Sequence, residues 1–209
     1  MKTRLLIGVG ISIFLVFHIP SCLRAASCSY SVHSSCEKVR SEDLQLTLEY
    51  PATWKFFEAA PAHNNLKDFQ GVISLDVLNG TKGNNGDSSG YTALENPLIS
   101  IIFSDLPFHN ITLSEYAKIR ILDFKMLFSD LDLHVIRSNQ SNGAIDGFKY
   151  WIFEYLFSID QRVDRYGMEI WMLRGDKVYE ISYIADGYAE YKSNLDQVKN
   201  LTNSITFIN

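Results

Sequence analysis

The chain has 209 residues, 46% of them hydrophobic and 21% charged, which is enough apolar material for one sizeable core. No shift of composition marks a second domain. A formal net charge of -5 and a pI near 5.5, with lysines and arginines scattered along the chain, speak against a nucleic-acid binder, which needs a concentrated basic surface.

The first segment reads as a targeting device. Lys2 and Arg4 precede the apolar run Leu5 to Phe17, which His18 and Pro20 close. Those 13 apolar residues are fewer than the ~20 a spanning helix needs, so export is expected, with an uncleaved anchor as the alternative. Ala25 and Ser27 stand where a signal peptidase takes small residues, which makes residues 1–27 a signal peptide or membrane anchor. Ile19-Pro-Ser-Cys22 is also similar to a bacterial lipobox with Cys22 as lipid acceptor, although Pro20 breaks the pattern.

Residues 28–42 read as a polar linker. Cys22, Cys28 and Cys36 all precede the regularly patterned region, so none supplies a core metal site or a buried nucleophile there. In an oxidising compartment Cys28 and Cys36 can close a small loop; the other reading is two free thiols in a flexible leader. Sequons at Asn79, Asn110 and Asn139 are glycosylation candidates for an exported chain. A fourth, at Asn200, falls in a predicted helix and is set aside.

From Asp43 onward the chain alternates. Leu44, Leu46, Leu48 and Tyr50 predict a strand with one buried face, Pro51 ends it, and Trp54 to Phe57 is a second extended piece. Val72 to Leu78 is a third strand, followed by the Gly- and Asn-rich stretch Asn79 to Asn96, which predicts a long mobile loop. The continuous apolar run Pro97 to Phe103 predicts a strand covered on both faces, hence helices on each side of the sheet. Thr112-Leu-Ser-Glu115 is a capping box that starts a helix, with Leu113, Ala117, Ile121, Phe124 and Phe128 on one stripe. Leu133 to Arg137 is a further strand. Three aromatic and β-branched runs then follow, Lys149 to Ser158, Tyr166 to Leu173 and Lys177 to Ile184, and they read as consecutive antiparallel strands forming the core sheet. The tail returns to helical spacing, with Tyr188, Tyr191, Leu195, Val198 and Leu201 facing that sheet. The fold class is α+β, an α/β/α sandwich with a central, mainly antiparallel sheet flanked by helices.

The chemistry is less explicit. No nucleophile elbow, zinc-protease, Walker or dinucleotide motif is present. Asp105 and His109, four residues apart at a strand end, are the weak candidates for a metal or an acid and base pair. Asp130 and Asp132 flank a helix end where calcium would need a third carboxylate. His63 and His134 lack a carboxylate at motif spacing. Arg174-Gly-Asp176 reads as hairpin turn chemistry, and Trp54, Trp151 and Trp171 read as core.

Tyr50-Pro-Ala-Thr-Trp54, the helix start Leu113-Ser-Glu-Tyr-Ala117, the run Arg174 to Ile184 and the ending Asn203-Ser-Ile-Thr-Phe207 together resemble the PsbP family of the photosystem II oxygen-evolving complex. The likeness covers residues 43–209, which makes that stretch a PsbP-like domain. It implies a central sheet flanked by helices and a non-catalytic binding or accessory role beside a membrane or surface protein complex. Some photosynthetic members assist calcium and chloride retention, so calcium is a family-level possibility. The leader looks like an export signal and the stretch before Asp43 lacks a lysine-rich arm, so the chain looks more like the short exported relatives of non-photosynthetic archaea and bacteria. The expectation is an extracytoplasmic, non-catalytic protein with no cofactor; the alternative is an extracytoplasmic hydrolase or metal-dependent enzyme with a site near Asp105 and His109.

Overall fold

The computed structural model describes residues 25–30, 34–59, 69–76, 98–159 and 163–208. In chain order they form β1 (Ala25–Tyr30), β2 (Ser34–Ser41), β3 (Leu46–Pro51), β4 (Lys55–Ala59), β5 (Phe69–Asp76), β6 (Leu98–Asp105), α1 (Leu113–Leu127), β7 (His134–Gln140), β8 (Tyr150–Ile159), β9 (Val163–Arg174), β10 (Lys177–Asp186), α2 (Tyr188–Ser204) and β11 (Thr206–Phe207). A seven-stranded sheet runs in the order β4-β5-β6-β10-β9-β8-β7, and a smaller one in the order β1-β2-β3-β11. Every strand pairing is antiparallel.

The aromatic hairpins lie at the centre of the large sheet because both of their faces are covered. Tyr179, Ile181, Tyr183, Met168, Ile170 and Met172 point to one side, where they pack with Ile99 and Ile101 of β6, Leu46 and Leu48 of β3, and Val198 and Leu201 of α2. Phe153, Tyr155, Phe157 and Trp171 point to the other side, beneath Tyr116 and Ala117 of α1. Gly175 takes the left-handed conformation, with φ of 62°, at the two-residue turn between β9 and β10.

Each helix is seated by its own chemistry. In α1 the Thr112 side chain accepts from the Glu115 amide while the Glu115 carboxylate accepts from the Thr112 amide, completing the predicted capping box. The Thr112 hydroxyl, donating to the Glu115 carboxylate at 2.6 Å, and the Thr112 amide hold that carboxyl below its usual range. The stripe continues with Phe124 and Phe128, whose rings meet Phe153, Tyr155 and Phe157 at centroid distances of 4.9 to 6.2 Å. On the opposite face α2 stacks Tyr191 on Tyr183 at 5.3 Å, and the Ser204 hydroxyl accepts from the Glu49 amide of β3 at 2.8 Å.

Three details differ from the sequence reading. The stretch expected as a polar linker carries β2, which pairs with β3 from Cys36 opposite Pro51 to Ser41 opposite Leu46, because backbone hydrogen bonding needs no apolar side chains. Tyr188 is 57% exposed and lies at the margin, its ring 5.3 Å from that of Tyr166; the buried positions of α2 are Tyr191, Asn194, Val198, Leu201 and Thr202, with Leu195 partly buried beside them. The last residues, Thr206 and Phe207, close the small sheet against β3. The predicted loop Asn79 to Asn96 lies outside the described residues, as do His63 and the whole leader before Ala25.

Candidate functional site

Strand alternation that sends Trp171 under α1 also sends Glu169 there, and in β10 it sends Glu180 and Ser182 to the same side. In register, Glu169 lies opposite Ser182 and Trp171 opposite Glu180, so the two carboxyls occupy a diagonal on adjacent strands. Both are buried. A row of small polar side chains continues across the sheet, from Ser182 to Ser100 of β6 and on to Ser74 of β5.

Each carboxyl has its own donors. Glu180 accepts from the Tyr116 hydroxyl at 2.5 Å and from the Arg120 guanidinium at 2.7 Å. Glu169 accepts from the Tyr155 hydroxyl at 3.0 Å and from the Ser182 hydroxyl at 2.8 Å. Arg120 reaches Asp123 as well, at 3.6 Å. Tyr155 fits because residue 167 is glycine: a Cβ there would lie 2.3 Å from Cζ of the Tyr155 ring.

Burial pushes the Glu169 carboxyl up to about 8, and the neighbouring Glu180 acts in the same direction, against the hydrogen bonds of Ser182 and Tyr155 and the charge of Arg120. Tyr155 is raised by burial and by Glu169, and Tyr116 by burial and by Glu180. Burial alone would lower Arg120, but the facing Glu180 outweighs it and the guanidinium is raised. Arg120 Nε and Trp171 Nε1 are buried without a hydrogen-bond partner. They are neighbours by construction, since Tyr116 and Phe124 both touch the Trp171 ring and Arg120 lies between them on the same helical stripe.

This cluster was not anticipated from the sequence, although a signal existed. Two glutamates sat at alternating positions in strands expected to be covered on both faces, and the alternation placed them inside.

The residues that the sequence did single out are dispersed. Asp105, at the end of β6, is ion-paired with its register partner Lys177. His109 is exposed in the turn that follows. Among the described residues no three His, Cys, Asp or Glu side chains converge as a metal site would require. Asp132 meets His134, with Oδ2 3.1 Å from Nε2, so that histidine has the carboxylate neighbour its spacing did not suggest. Trp54 and Trp171 are buried, whereas Trp151 is half-buried and donates to the Ser138 hydroxyl at 3.1 Å.

Cys36 is buried, with no disulfide partner among the described side chains; as a thiol its pKa is raised, by burial first and then by Glu49. It lines a shallow cleft with Glu49, Tyr50, Pro51 and Ser204. The register sets the backbone of Cys28 directly opposite it on β1, a separation that a cross-strand disulfide spans; the Cys28 side chain is outside the described residues. Asn110, with φ of 61°, and Asn139, on β7, are both exposed, while Asn79 lies outside the described residues. Among the described residues no helix is long and apolar enough to cross a membrane.

With the geometry in place, the comparisons define the class of fold. The architecture is of the PsbP and Mog1 type: a seven-stranded antiparallel sheet, a small sheet, and helices packed on it. The cyanobacterial PsbP (CyanoP) of Synechocystis sp. PCC 6803 superposes with a TM-score of 0.58 at 14% identity, covering 87% of this chain and 98% of that one. The Ran-binding protein Mog1p of Saccharomyces cerevisiae gives 0.53 at 10% identity, covering 85% and 97%. LpqN of Mycobacterium tuberculosis, involved in cell envelope biogenesis, gives 0.47 at 14% identity, covering 85% and 93%. No family profile and no curated protein sequence matches the chain.

Proposed function

We propose that the chain is an exported, non-catalytic accessory protein that acts by docking against a protein complex at a membrane. The observation that carries this reading is the closure of the polar cluster. Its carboxyls are held by Tyr116, Arg120, Tyr155 and Ser182 under a packed helix, which gives those groups structural work. The fold is shared with CyanoP and with a Ran-binding protein, which is compatible with a scaffold that works through its surface. No calcium site is part of the proposal.

The surface offered is the outer side of α1. Leu122 and Met126, one turn apart, are 60% and 64% exposed, and the exposed Lys118 and Lys125 flank them. Leu127 on the same helix, and Val135 and Ile136 on the edge strand β7, are exposed as well. On a chain of net charge -5 this basic-rimmed ridge complements a protein surface with apolar residues inside an acidic rim.

Native-gel migration of membrane extracts tests the reading. Wild-type protein is expected in a band larger than the free chain, and the double change Leu122→Glu and Met126→Glu is expected to release it while leaving the fold intact. Migration as the free chain in both cases, or a hydrolytic activity that His109→Ala abolishes without altering the thermal midpoint, would overturn it.

A further inference from the structure

We propose that the buried pair Glu169 and Glu180, served together by Arg120, makes the seat of α1 a proton-dependent latch: the helix lies closed while one proton is held by the pair and loosens from the sheet when that proton is lost. This goes beyond the docking role and does not depend on it.

The geometry supplies three parts. First, the two carboxyls share one face on adjacent strands, and Arg120 is a cation whose charge reaches both. Two like charges near one guanidinium, which is bonded to Glu180 alone, are a poor arrangement out of water, and one proton retained on the cluster removes the excess charge. Second, the groups facing Glu169 leave it little compensation when it ionises. From β8 it meets Tyr155, from β10 Ser182 and Glu180, and from α1 the Tyr116, Arg120 and Asp123 group centred on Glu180. The hydroxyls of Tyr155 and Ser182 already donate to it, so ionisation gains no further donor there. Third, the two sides of the seat differ in freedom. β9 is laddered on both edges, to β8 and to β10, over its whole length and cannot give way locally. α1 is joined by turns at each end; its backbone packs over β8 and β9 and it reaches β10 through the Tyr116 and Arg120 bonds to Glu180. Relief therefore comes from the helix, by admitting water to Glu169 and to the unpartnered Arg120 Nε and Trp171 Nε1.

The sign follows from burial. A carboxyl held up to about 8 under the seated helix, against about 4.5 in water, makes the seat tightest in acid; the seat weakens as pH rises above about 4.5 and has lost the whole contribution once pH passes about 8. The aromatic floor of Phe153, Tyr155 and Trp171 would then exchange with solvent.

Amide hydrogen exchange of the full chain, followed from about pH 6 to about pH 9 and divided by the intrinsic rate at each pH, tests the latch. Protection of the α1 amides is expected to fall by up to about tenfold per pH unit from about pH 6 to about pH 8, where opening releases one proton, and to level off above about 8, while β10 keeps its protection. Glu169→Gln should abolish the fall. An equal fall in α1 and β10, no fall, or the same fall in Glu169→Gln overturns the proposal. Carbon-13 titration of the glutamate carboxyls in the wild-type chain provides a reading that needs no variant. One carboxyl titrating far above the others in step with α1 opening supports the latch, and all of them titrating in the ordinary carboxylate range overturns it.

Discussion

Replacing Gly167 by Ala adds one methyl group at the tightest point beneath α1. Its Cβ would lie 2.3 Å from Tyr155 Cζ and 2.6 Å from Cε2 and from the hydroxyl oxygen, so the ring would have to move by more than 1 Å to reach ordinary contact. Room for that shift is lacking. Tyr155 is flanked by Phe153, Phe124, Phe157 and Phe128 at centroid distances of 5.2, 5.3, 6.0 and 6.2 Å, and its hydroxyl is committed to Glu169 at 3.0 Å. Overpacking of this kind costs about 1 to 3 kcal/mol, and losing the hydrogen bond while leaving Glu169 buried adds about 1 to 3 kcal/mol. Backbone entropy offsets about 0.4 to 1 kcal/mol of that, because the φ of Gly167 is not among the left-handed ones and suits any residue. The net expectation is a loss of roughly 1 to 5 kcal/mol in urea denaturation at neutral pH. In a Tyr155→Leu background the same change should cost far less, giving a large coupling energy in the double-mutant cycle. A Gly167→Ala protein within about 0.5 kcal/mol of wild type would refute the packing argument.

Further expectations concern the same core and the surface. Trp171→Ala, at a fully buried position touching Tyr116, Phe124 and Phe153, should cost about 3 to 5 kcal/mol by denaturation, whereas the exposed His109→Ala should leave the midpoint within error. Because the folded chain holds the Glu169 proton up to about 8 while the unfolded chain releases it near 4.5, folding stability should decline as pH rises between those values. Glu169→Gln should remove up to about 1.4 kcal/mol per pH unit of that slope in parallel urea titrations. Protein secreted without reductant should yield a Cys28 to Cys36 linked peptide in a non-reducing map, as their cross-strand register permits; two alkylatable thiols would contradict this.

Much of the fold was legible because it rests on periodicity. The alternation from Leu44 to Tyr50, the Thr112 capping box and the three aromatic runs each specify an element and its buried side, and β3, α1, β8, β9 and β10 follow them. The strand β2 was not legible, since Ser34 to Ser41 has no alternation and a single β-branched residue, Val39, and becomes a strand through pairing with its neighbours. The acid cluster was half legible. Burial of Glu169 and Glu180 follows from alternation once both faces are known to be covered, but the pairing of Glu180 with Arg120, 60 residues away, depends on where α1 crosses the sheet. Motif spacing in turn directed attention to Asp105 and His109, and proximity in sequence did not become a shared site: one residue is committed to Lys177 across the strand pair and the other faces solvent.

Site-specific photocrosslinking in intact membranes most directly tests the claim that α1 presents the working surface. A photoreactive residue at position 126 should give one discrete adduct that is lost when Leu122→Glu is added, whereas the same probe at the exposed Lys192, on the opposite side of the sheet, should give none. Equal labelling from both positions, or none from position 126, would contradict it.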